Sequence, residues 1–348
     1  MGDHLIVPAT MKAWIASRPG AARDILSLKI NQPTPPAPTA GKIMVRVSYV
    51  ALNPGDVKLL WEIPFRRNFI PAIDFAGEVV RMGPLVSSSP ANIGIGDIVA
   101  GTVPGSSIFS GAGTLAEYIL VPGDIVTKKP DRLDESVAAG LLGVAGQTNM
   151  VLFKSTRELQ PGDRVLVNGA TGGVGCILVQ WLHAVGMHVT ATCSTRNLAL
   201  AMKLGADEVI DYTAHSSVYD HLTSKAAAGN LYDCIIDCVG DDKLYYRSPG
   251  YLKPEGKCIC IARGPRGFVY SFVFNHWPLV FGGIPRKYMT IMSGPSGSSA
   301  RQVVEMFEKG WIKEVPVDTV FPMSDAVEAF EKVSLGRTVG KLFVKVRS

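Results

Sequence analysis

The spacing of apolar residues changes partway along the chain. Up to about residue 135, short apolar runs separated by turn residues predict a series of strands, at 11–15, 42–50, 76–80, 97–100 and 116–121. The proline-rich stretch 32–38 lies between two of these runs, where it predicts a stiff extended connector rather than a recognition motif. The first part of the chain is therefore predicted to be rich in β-structure.

From about residue 136, apolar strand-like runs alternate with segments of helical spacing. Strands are predicted at 165–168, 187–192, 208–210, 233–238, 256–262 and 289–292, and helices near 175–185, 197–204, 216–227 and 243–251. Such alternation is typical of α/β proteins with a doubly wound parallel sheet.

The end of the chain returns to a different pattern. Helices are predicted at 300–309 and 323–332, followed by a last strand at 339–346. A strand that ends the chain must pair with another strand, and the β-rich part is its expected partner. We therefore predict a discontinuous domain formed by 1–140 and 295–348, with a second domain inserted at 141–294.

A glycine-rich turn at the start of the predicted parallel sheet carries the first chemical signal. The apolar run 165–167 leads into glycines at 169, 172, 173 and 175, and residues 177–182 continue at helical spacing. Glycines permit a tight turn and a close backbone approach, and the helix N-terminus that follows presents N–H groups to an anion. A glycine cluster alone is a weak signal, but a strand before it and a helix after it favour a site for a dinucleotide pyrophosphate.

The segment after the second strand of this part indicates which dinucleotide is bound. An Asp or Glu at that strand end would accept hydrogen bonds from the ribose 2′-hydroxyl of NADH, but the chain has Cys193-Ser-Thr-Arg-Asn197 there. The hydroxyls of Ser194 and Thr195 and the guanidinium of Arg196 suit a 2′-phosphate, so NADPH is the predicted cofactor. The alternative is that these residues cap the next helix, and both roles can hold together because they use different atoms.

Composition limits the remaining classes of function. The chain of 348 residues is long enough for two domains, and its formal net charge of +5, with basic and acidic residues interspersed, indicates no nucleic-acid surface. The six cysteines form no Cys-x-x-Cys pair and are expected to be buried thiols in a reducing, cytoplasmic protein. No secretory signal is recognised at the N-terminus.

One aromatic stretch needs an explanation of its own. Residues 268–284 are strongly apolar but are interrupted by Asn275, His276 and Pro278, so they fall short of a membrane-spanning helix. No integral membrane segment is expected. The stretch is predicted to form a wall over a ligand pocket or a subunit contact, which leaves a homodimer open.

An ordered set of motifs gives the chain a resemblance to the medium-chain dehydrogenase/reductase superfamily over nearly its whole length. The motifs are in the family's order, at 51–58, 71–79, 113–118, 143–148, 168–175, 204–212, 237–240 and 336–341. The resemblance implies a β-rich GroES-like catalytic domain, discontinuous in sequence, and a Rossmann domain that binds the cofactor. Within the superfamily, the chain is similar to the zinc-free quinone oxidoreductases and enoyl reductases.

The branch within the superfamily follows from the residues at the family's zinc positions. Zinc-dependent alcohol dehydrogenases have a Cys near position 53 and a His-Glu pair near 77, but this chain has Asn53 and Gly77-Glu78 and no cysteine before 176. Without thiolate or imidazole ligands a tetrahedral zinc site is not expected there.

The resemblance also implies a set of residues around the cofactor. Thr148 would lie near the nicotinamide, Ser194, Arg196 and Tyr212 would surround the adenosine phosphate, and an ordinary exposed aromatic is the alternative for Tyr212. The remaining implied contacts are Thr171, Gly172, Gly173 and Val174 at the pyrophosphate, and Val239, Gly240, Ala262 and Arg263 along the cofactor channel.

Three residues of the 51–58 motif are the catalytic candidates. Asn53 is expected to position the substrate through its amide, or else to be a turn residue before a proline. Asp56 would orient a neighbour or cap the following helix, and Lys58 would protonate the reduced substrate or remain a solvated lysine. Quinone reductases of the family carry Tyr where this chain has Lys58, so the proton donor stays open, with His276 as another candidate.

Two classes of function remain at this stage. The first is a zinc-independent, NADPH-dependent oxidoreductase that transfers hydride to a conjugated carbonyl (enone or enoyl thioester) or a quinone, with orientation and a hydrogen-bond donor supplied by the protein. The second is a cyclase, isomerase or binding protein that uses the same fold without a net redox step. The intact glycine turn and the predicted phosphate pocket favour the first.

Overall fold

The computed structural model describes residues 6–62, 68–86, 92–263, 275, 277–292, 294 and 296–347. The chain divides into two compact units. The first unit comprises residues 1–150, 294–308 and 315–348, and the second comprises 151–293 and 309–314. Among the described residues, no single helix is long and apolar enough to cross a membrane, and one bent pair, Glu135–Leu141 with Val144–Ser155, passes by length and composition alone.

The first unit is built around antiparallel strands. Its early strands are β1 (Thr10–Ala16), β2 (Leu26–Pro33), β3 (Lys42–Leu52), β4 (Asp74–Met82), β5 (Ile98–Thr102), β6 (Tyr118–Pro122) and β7 (Val126–Lys128). Two further strands, β14 (Val317–Pro322) and β15 (Lys341–Lys345), come from the end of the chain. Strands β1 and β2 pair with each other, and the others form a sheet in the order β14-β15-β3-β4-β5-β7, with β6 also paired to β3.

Short helices complete this unit. They are α1 (Ala22–Ile25), α2 (Pro54–Glu62), α3 (Gly105–Ser110), α4 (Glu135–Leu141), α5 (Val144–Ser155, whose last turn lies beyond the boundary of the unit), α10 (Gly297–Glu308) and α11 (Ala326–Ser334). Phe75, Leu115 and Phe330 lie in a single buried apolar cluster. The indole of Trp14 donates to the carbonyl of Met323 at 2.7 Å, which ties the first strand to a segment near the chain end.

The second unit contains one parallel sheet. Its strands are β8 (Arg164–Asn168), β9 (His188–Cys193), β10 (Glu208–Asp211), β11 (Tyr232–Asp237), β12 (Leu252–Cys260) and β13 (Lys287–Thr290). They are ordered β10-β9-β8-β11-β12-β13, which is the doubly wound order of a dinucleotide-binding fold. Its helices are α6 (Gly175–Ala184), α7 (Leu198–Lys203), α8 (Val218–Ala227) and α9 (Asp242–Tyr246).

The apolar patterns explain why the sequence predicted this sheet well. Val165, Leu166 and Val167 are fully buried, as expected for the first strand of a parallel sheet that is covered on both faces. The predicted fold class is confirmed, and so is the partner of the last strand, because β15 pairs antiparallel with β3.

Some predicted elements were wrong or incomplete. The helix predicted at 243–251 ends at Tyr246, and a 3-10 turn at Ser248–Gly250 with a proline in its first positions replaces its second half, since proline lacks the amide that a helix interior requires. Strand β12 therefore begins at Leu252 instead of 256. Strands β2, β7 and β14 were not predicted, and β2 takes in the first two residues of the proposed proline-rich connector.

Candidate functional site

The glycine turn lies where the sequence predicted it, between β8 and α6. Gly169 has a φ of +77°, and a Cβ atom there would lie 2.8 Å from a methyl carbon of Val239. A Cβ on Gly175 would lie 2.3 Å from the carbonyl oxygen of Gly169, so the helix begins too close to the strand for any side chain. At Gly172 a Cβ would meet only that same oxygen, at 3.4 Å. Glycine at 169 and 175 therefore makes possible a tight backbone cradle that a side chain at either position would break.

The cradle fits a dinucleotide pyrophosphate on this observation. No side chain caps the N-terminus of α6 at Val174, and the amides of Cys176 and Ile177 donate to the backbone carbonyls of Gly172 and Val174, at 2.9 and 3.2 Å. The candidate residues Thr171, Gly172, Gly173 and Val174 all belong to this turn.

The end of β9 is linked to the glycine turn by a residue that the sequence analysis considered only as part of a helix cap. The side-chain nitrogen of Asn197 donates to the hydroxyl oxygens of Thr171, at 3.2 Å, and Ser194, at 3.3 Å. Neither Ser194 nor Asn197 caps the helical turn that follows it, so the alternative capping role is wrong. Arg196 is exposed beside them. Asn197 thus joins the predicted pyrophosphate and phosphate segments.

A carboxylate lies next to the residues predicted to bind the adenosine phosphate. It belongs to β10, the strand beside β9, whereas the end of β9 itself has no acidic residue. Asp211, the last residue of β10, pairs in register with Cys193 and accepts hydrogen bonds from the Thr195 hydroxyl at 2.5 Å and the Thr213 hydroxyl at 2.6 Å. These hydroxyls hold the pKa of Asp211 below its usual value, so the group is ionised. The next residue, Tyr212, is 52% exposed.

The turn after β11 is organised by one buried carboxylate. Asp237 accepts hydrogen bonds from the amides of Val239, Gly240 and Asp241, at 2.7 to 3.1 Å. Burial raises its pKa, and these hydrogen bonds oppose the rise. The Val239 side chain is exposed, and a Cβ on Gly240 would lie 3.4 Å from the Cβ of Ala262. The candidate residues of the cofactor channel are thus close to one another.

Arg263 has a partner within the protein. Its guanidinium pairs with the carboxylate of Asp242 through two nitrogens, and its side chain is 12% exposed. The hydrogen bond to Asp242 raises the pKa of Arg263 against the opposing effect of burial. A contact between Arg263 and the cofactor stays a prediction.

In the first unit, the predicted catalytic residue Asn53 lies at the centre of a buried polar cluster. Its amide nitrogen donates to Asp74 at 2.8 Å and to Asp56 at 3.2 Å, and its amide oxygen accepts from the ammonium of Lys341 at 2.6 Å. Asp74 also accepts from the Thr102 hydroxyl at 2.6 Å and the Val144 amide at 2.9 Å. Asn53, Asp56, Asp74 and Lys341 are all less than 8% exposed.

Asp56 closes the start of helix α2. The backbone amide of Asn53 donates to the carboxylate of Asp56 at 2.7 Å, which is the reciprocal contact of a capping box. Burial raises the pKa of Asp56 to about 7, and repulsion from Asp74 adds to the effect. Burial also raises the pKa of Asp74, opposed chiefly by the positive charge of Lys341.

The other candidates are placed less specifically. Lys58 is half-buried on α2, and Thr148 is a buried residue of α5 that belongs to the first unit. Of the aromatic stretch 268–284, residues 268–274 and 276 lie outside the described residues, so the predictions for His276 and for most of the aromatic wall are not examined by the structure. Within it, Leu279, Val280 and Phe281 are more than 60% exposed.

The family's zinc positions are occupied in this chain by Asn53 and Gly77-Glu78. Glu78 pairs with Arg46 at 2.5 Å and with Arg347 at 3.4 Å, and the two arginines lower its pKa. A Cβ on Gly77 would lie 2.2 Å from the carbonyl oxygen of Arg46, so an imidazole could not replace this glycine without backbone movement. In the part of the chain that the structure describes, no three His, Cys, Asp or Glu side chains are grouped so that they could hold a metal.

Comparisons with known proteins agree with this architecture. Residues 39–131 match the alcohol dehydrogenase GroES-like domain family, and residues 204–344 match the zinc-binding dehydrogenase family. The trans-enoyl reductase pgmF of Aspergillus terreus is 32% identical to this chain over 359 residues, covering 98% of this chain and 97% of that protein.

Solved structures with the same fold include a quinone oxidoreductase and a mycobacterial protein. The quinone oxidoreductase of Coxiella burnetii is 27% identical with a TM-score of 0.79, covering 97% of this chain and 99% of that one. A mycobacterial protein solved with NADPH is 22% identical with a TM-score of 0.76, covering 97% and 100%.

Full-length similarity, the glycine cradle and the order of the parallel strands all support membership of one enzyme family. The cofactor of this protein is a nicotinamide dinucleotide. The chain belongs to the medium-chain dehydrogenase/reductase superfamily, in the branch of quinone oxidoreductases and enoyl reductases, and is an oxidoreductase of that type.

Proposed function

We propose that this protein is an NADPH-dependent, zinc-independent reductase of conjugated carbonyls, such as enones and enoyl thioesters, or of quinones. The observation that carries the proposal is the link between the turn after β8 and the segment after β9, where the side chain of Asn197 donates to the hydroxyls of Thr171 and Ser194, and Arg196 lies next to Asn197 in the sequence. A trans-enoyl reductase and a quinone oxidoreductase among the similar proteins support both acceptor classes.

Positive charge at the end of β9 favours NADPH over NADH. Arg196 offers a planar guanidinium and Ser194 a hydroxyl to a 2′-phosphate, while the end of β9 has a buried cysteine where an NADH enzyme would place a carboxylate. Asp211 works against this preference, because its ionised carboxylate would repel a phosphate and attract a free ribose hydroxyl. The hydroxyls of Thr195 and Thr213 occupy Asp211, which supports a net preference for the phosphate.

When bound, the cofactor would supply hydride to an electron-poor carbon. Residues of the glycine turn would hold the pyrophosphate with their amides, and Ser194, Arg196 and Tyr212 would hold the adenosine phosphate. Asn53, Asp56 and Lys58 remain the proposed catalytic group. The side-chain nitrogen of Asn53 donates to Asp74 and Asp56 in this structure, so donation to a substrate requires one of these carboxylates to be released.

We further propose a reducing, cytoplasmic location, supported by six free thiols of which five are buried. We also propose that the protein acts on a small-molecule substrate and forms a homodimer; the dimer is supported by the exposed apolar residues at 279–281, which precede the edge strand β13 in the chain.

The test is a titration of the purified wild type with NADPH and with NADH, followed by steady-state oxidation of the preferred cofactor with one enone, one enoyl thioester and one quinone. Tighter binding of NADPH, with turnover of at least one acceptor, is the expected result. Tight NADPH binding without any oxidation across the three acceptor classes would instead favour the non-redox alternative. Preference for NADH would contradict the cofactor assignment.

A further inference from the structure

Three neighbouring strands of the parallel sheet are joined at their carboxyl ends by a string of side-chain hydrogen bonds. The hydroxyl of Thr192 on β9 donates to the amide oxygen of Asn168 on β8 at 2.6 Å, and the amide nitrogen of Asn168 donates to Asp237 on β11 at 2.9 Å. Thr192 and Asp237 are each 2% exposed, and Asn168 is half-buried.

Both ends of this string reach the turns that form the candidate cofactor site. At one end, the backbone amide of Gly169, the first residue of the glycine turn, donates to the hydroxyl oxygen of Thr192 at 3.2 Å. At the other end, Asp237 accepts the amides of Val239 and Gly240. The side chains of Thr192, Asn168 and Asp237 therefore connect the turn at 169–174 with the turn at 238–241.

The chemistry of its members gives the string one direction. Both carboxylate oxygens of Asp237 accept backbone amides, so Asn168 must turn its nitrogen to Asp237 and its oxygen to Thr192. The Thr192 hydroxyl must then donate to that oxygen, which leaves its lone pairs for the amide of Gly169. Each member thus fixes the orientation of the next, and a change at Asn168 disturbs both turns.

We infer that Asn168 is a positioning residue for the nicotinamide dinucleotide, holding the glycine turn and the turn after β11 in the arrangement that receives the cofactor. The inference rests on the proposed function only for the identity of the ligand. Asn168 has no part in the chemistry. Its loss is therefore expected to weaken cofactor binding to the cofactor-free enzyme, and this can be measured without turnover.

The decisive variant is Asn168→Asp, which keeps the shape of the side chain but replaces the donating nitrogen with a carboxylate oxygen that faces Asp237. At pH 8 the two carboxylates repel each other, and NADPH affinity is expected to fall on the order of 10-fold relative to wild type, as for a hydrogen bond to a charged group. At pH 5.5 a proton shared between the carboxylates restores a donor, so the ratio of variant to wild-type Kd is expected to shrink several-fold.

A second pair of variants tests the other side of the string and does not add charge. Thr192→Val removes the hydroxyl at constant shape and is expected to weaken NADPH binding by ~5- to 10-fold, and Thr192→Ser is expected to restore it. The matched control is Asn230→Asp, the same chemical change in the turn before β11, at the opposite ends of the strands, where the side chain donates weakly to the Lys225 carbonyl at 3.4 Å. It should leave the Kd unchanged at both pH values.

Binding is followed by the fluorescence of the reduced nicotinamide, and urea unfolding of each cofactor-free variant reports whether it is folded. A folded Asn168→Asp variant with the wild-type Kd at both pH values would overturn the inference. So would a loss of affinity in Asn168→Asp that is equal at pH 8 and pH 5.5, together with a loss in Thr192→Ser as large as that in Thr192→Val, because that pattern indicates packing rather than hydrogen-bond direction. If Asn168→Asp does not fold, the Thr192 pair decides alone.

The wild type separates this inference from the proposed function. A preference of the wild type for NADH would contradict the proposed cofactor, but the variant-to-wild-type ratio would still be measured with NADH and would still decide the role of Asn168. A wild type that binds neither dinucleotide would refute the proposed function before any variant is compared, and the inference would fall with it.

Discussion

The buried carboxylate of Asp56 makes a strong prediction about stability and pH. Asp56 is 1% exposed at the start of α2, and one of its oxygens accepts both the backbone amide and the side-chain nitrogen of Asn53. The other oxygen is buried and has no hydrogen-bond partner among the described residues. The perturbation is Asp56→Asn, which keeps an oxygen for the Asn53 amide but cannot ionise.

The sign and size of the effect follow from the pKa. Burial raises the pKa of Asp56 from an ordinary 3.8 to about 7 in the folded protein. Between these values the folded state binds more protons than the unfolded state, so the free energy of unfolding falls as the pH rises from about 4 to about 7 and is flat above. At ~1.4 kcal/mol per pKa unit, the wild type loses on the order of 4 kcal/mol over that window, whereas the variant loses none through this residue.

The assay is urea unfolding of wild type and Asp56→Asn at several values between pH 4 and pH 8. As the pH rises, the free energy of unfolding of the variant should increase relative to that of the wild type. Carboxyl-carbon NMR of the wild type should show that Asp56 titrates near neutrality. Asp134→Asn is the matched control, because Asp134 is exposed in the same unit and its side chain caps no amide. Parallel pH curves for Asp56→Asn and wild type would contradict this prediction and would mean that Lys341 fully compensates the effect of burial on the pKa of Asp56.

Four further measurements test other parts of the structure. Arg196→Ala should cost ~1.5–3 kcal/mol of NADPH binding and leave NADH binding nearly unchanged, so equal losses in the two titrations would defeat the phosphate assignment. Lys341→Met should lower the free energy of unfolding by ~3–5 kcal/mol at pH 8, because it leaves buried carboxylates without their cation, and a much smaller loss in urea unfolding would show that they are protonated. Metal analysis of the purified protein should find no stoichiometric zinc, and bound zinc whose chelation abolishes activity would contradict the branch assignment. For the aromatic stretch, Phe272→Ala, Phe274→Ala and Trp277→Ala, made singly, should each raise the substrate KM, whereas unchanged kinetics with a shifted oligomer mass would identify an interface.

The sequence predicted the parallel sheet and its glycine turn because their signals are local. A strand buried on both faces is a continuous apolar run, and the turn requires glycine at positions such as 169 and 175 for reasons of close approach. The candidate phosphate-binding residues after β9 could be predicted for the same reason, because Ser194 and Arg196 follow that strand directly in the sequence.

The contacts that the sequence missed are those set by strand register and by distant parts of the chain. Asp211 stands beside Cys193 only because β10 pairs with β9 in that register, so a search limited to the end of β9 could not find it. Lys341 contacts Asn53 across 288 positions of sequence, and in the sequence it was only a member of a late motif. The pair Gly340-Lys341 at the start of β15 would indicate this contact, but only once β15 is known to lie beside β3.

The cluster around Asn53 changes how the catalytic candidates are weighed. An asparagine side chain has two donor hydrogens and two acceptor sites, and here Asp74 and Asp56 take the hydrogens while Lys341 takes one acceptor site. A substrate carbonyl that needs a donor from Asn53 must therefore displace a buried carboxylate, which is costly unless that carboxylate becomes protonated. The raised pKa of Asp56 provides such a route, because the neutral acid accepts less strongly than the ion. Catalysis through the Asn53 amide thus requires the activity to fall as Asp56 ionises above about pH 7, whereas an Asn53 that only shapes the start of α2 requires no such dependence.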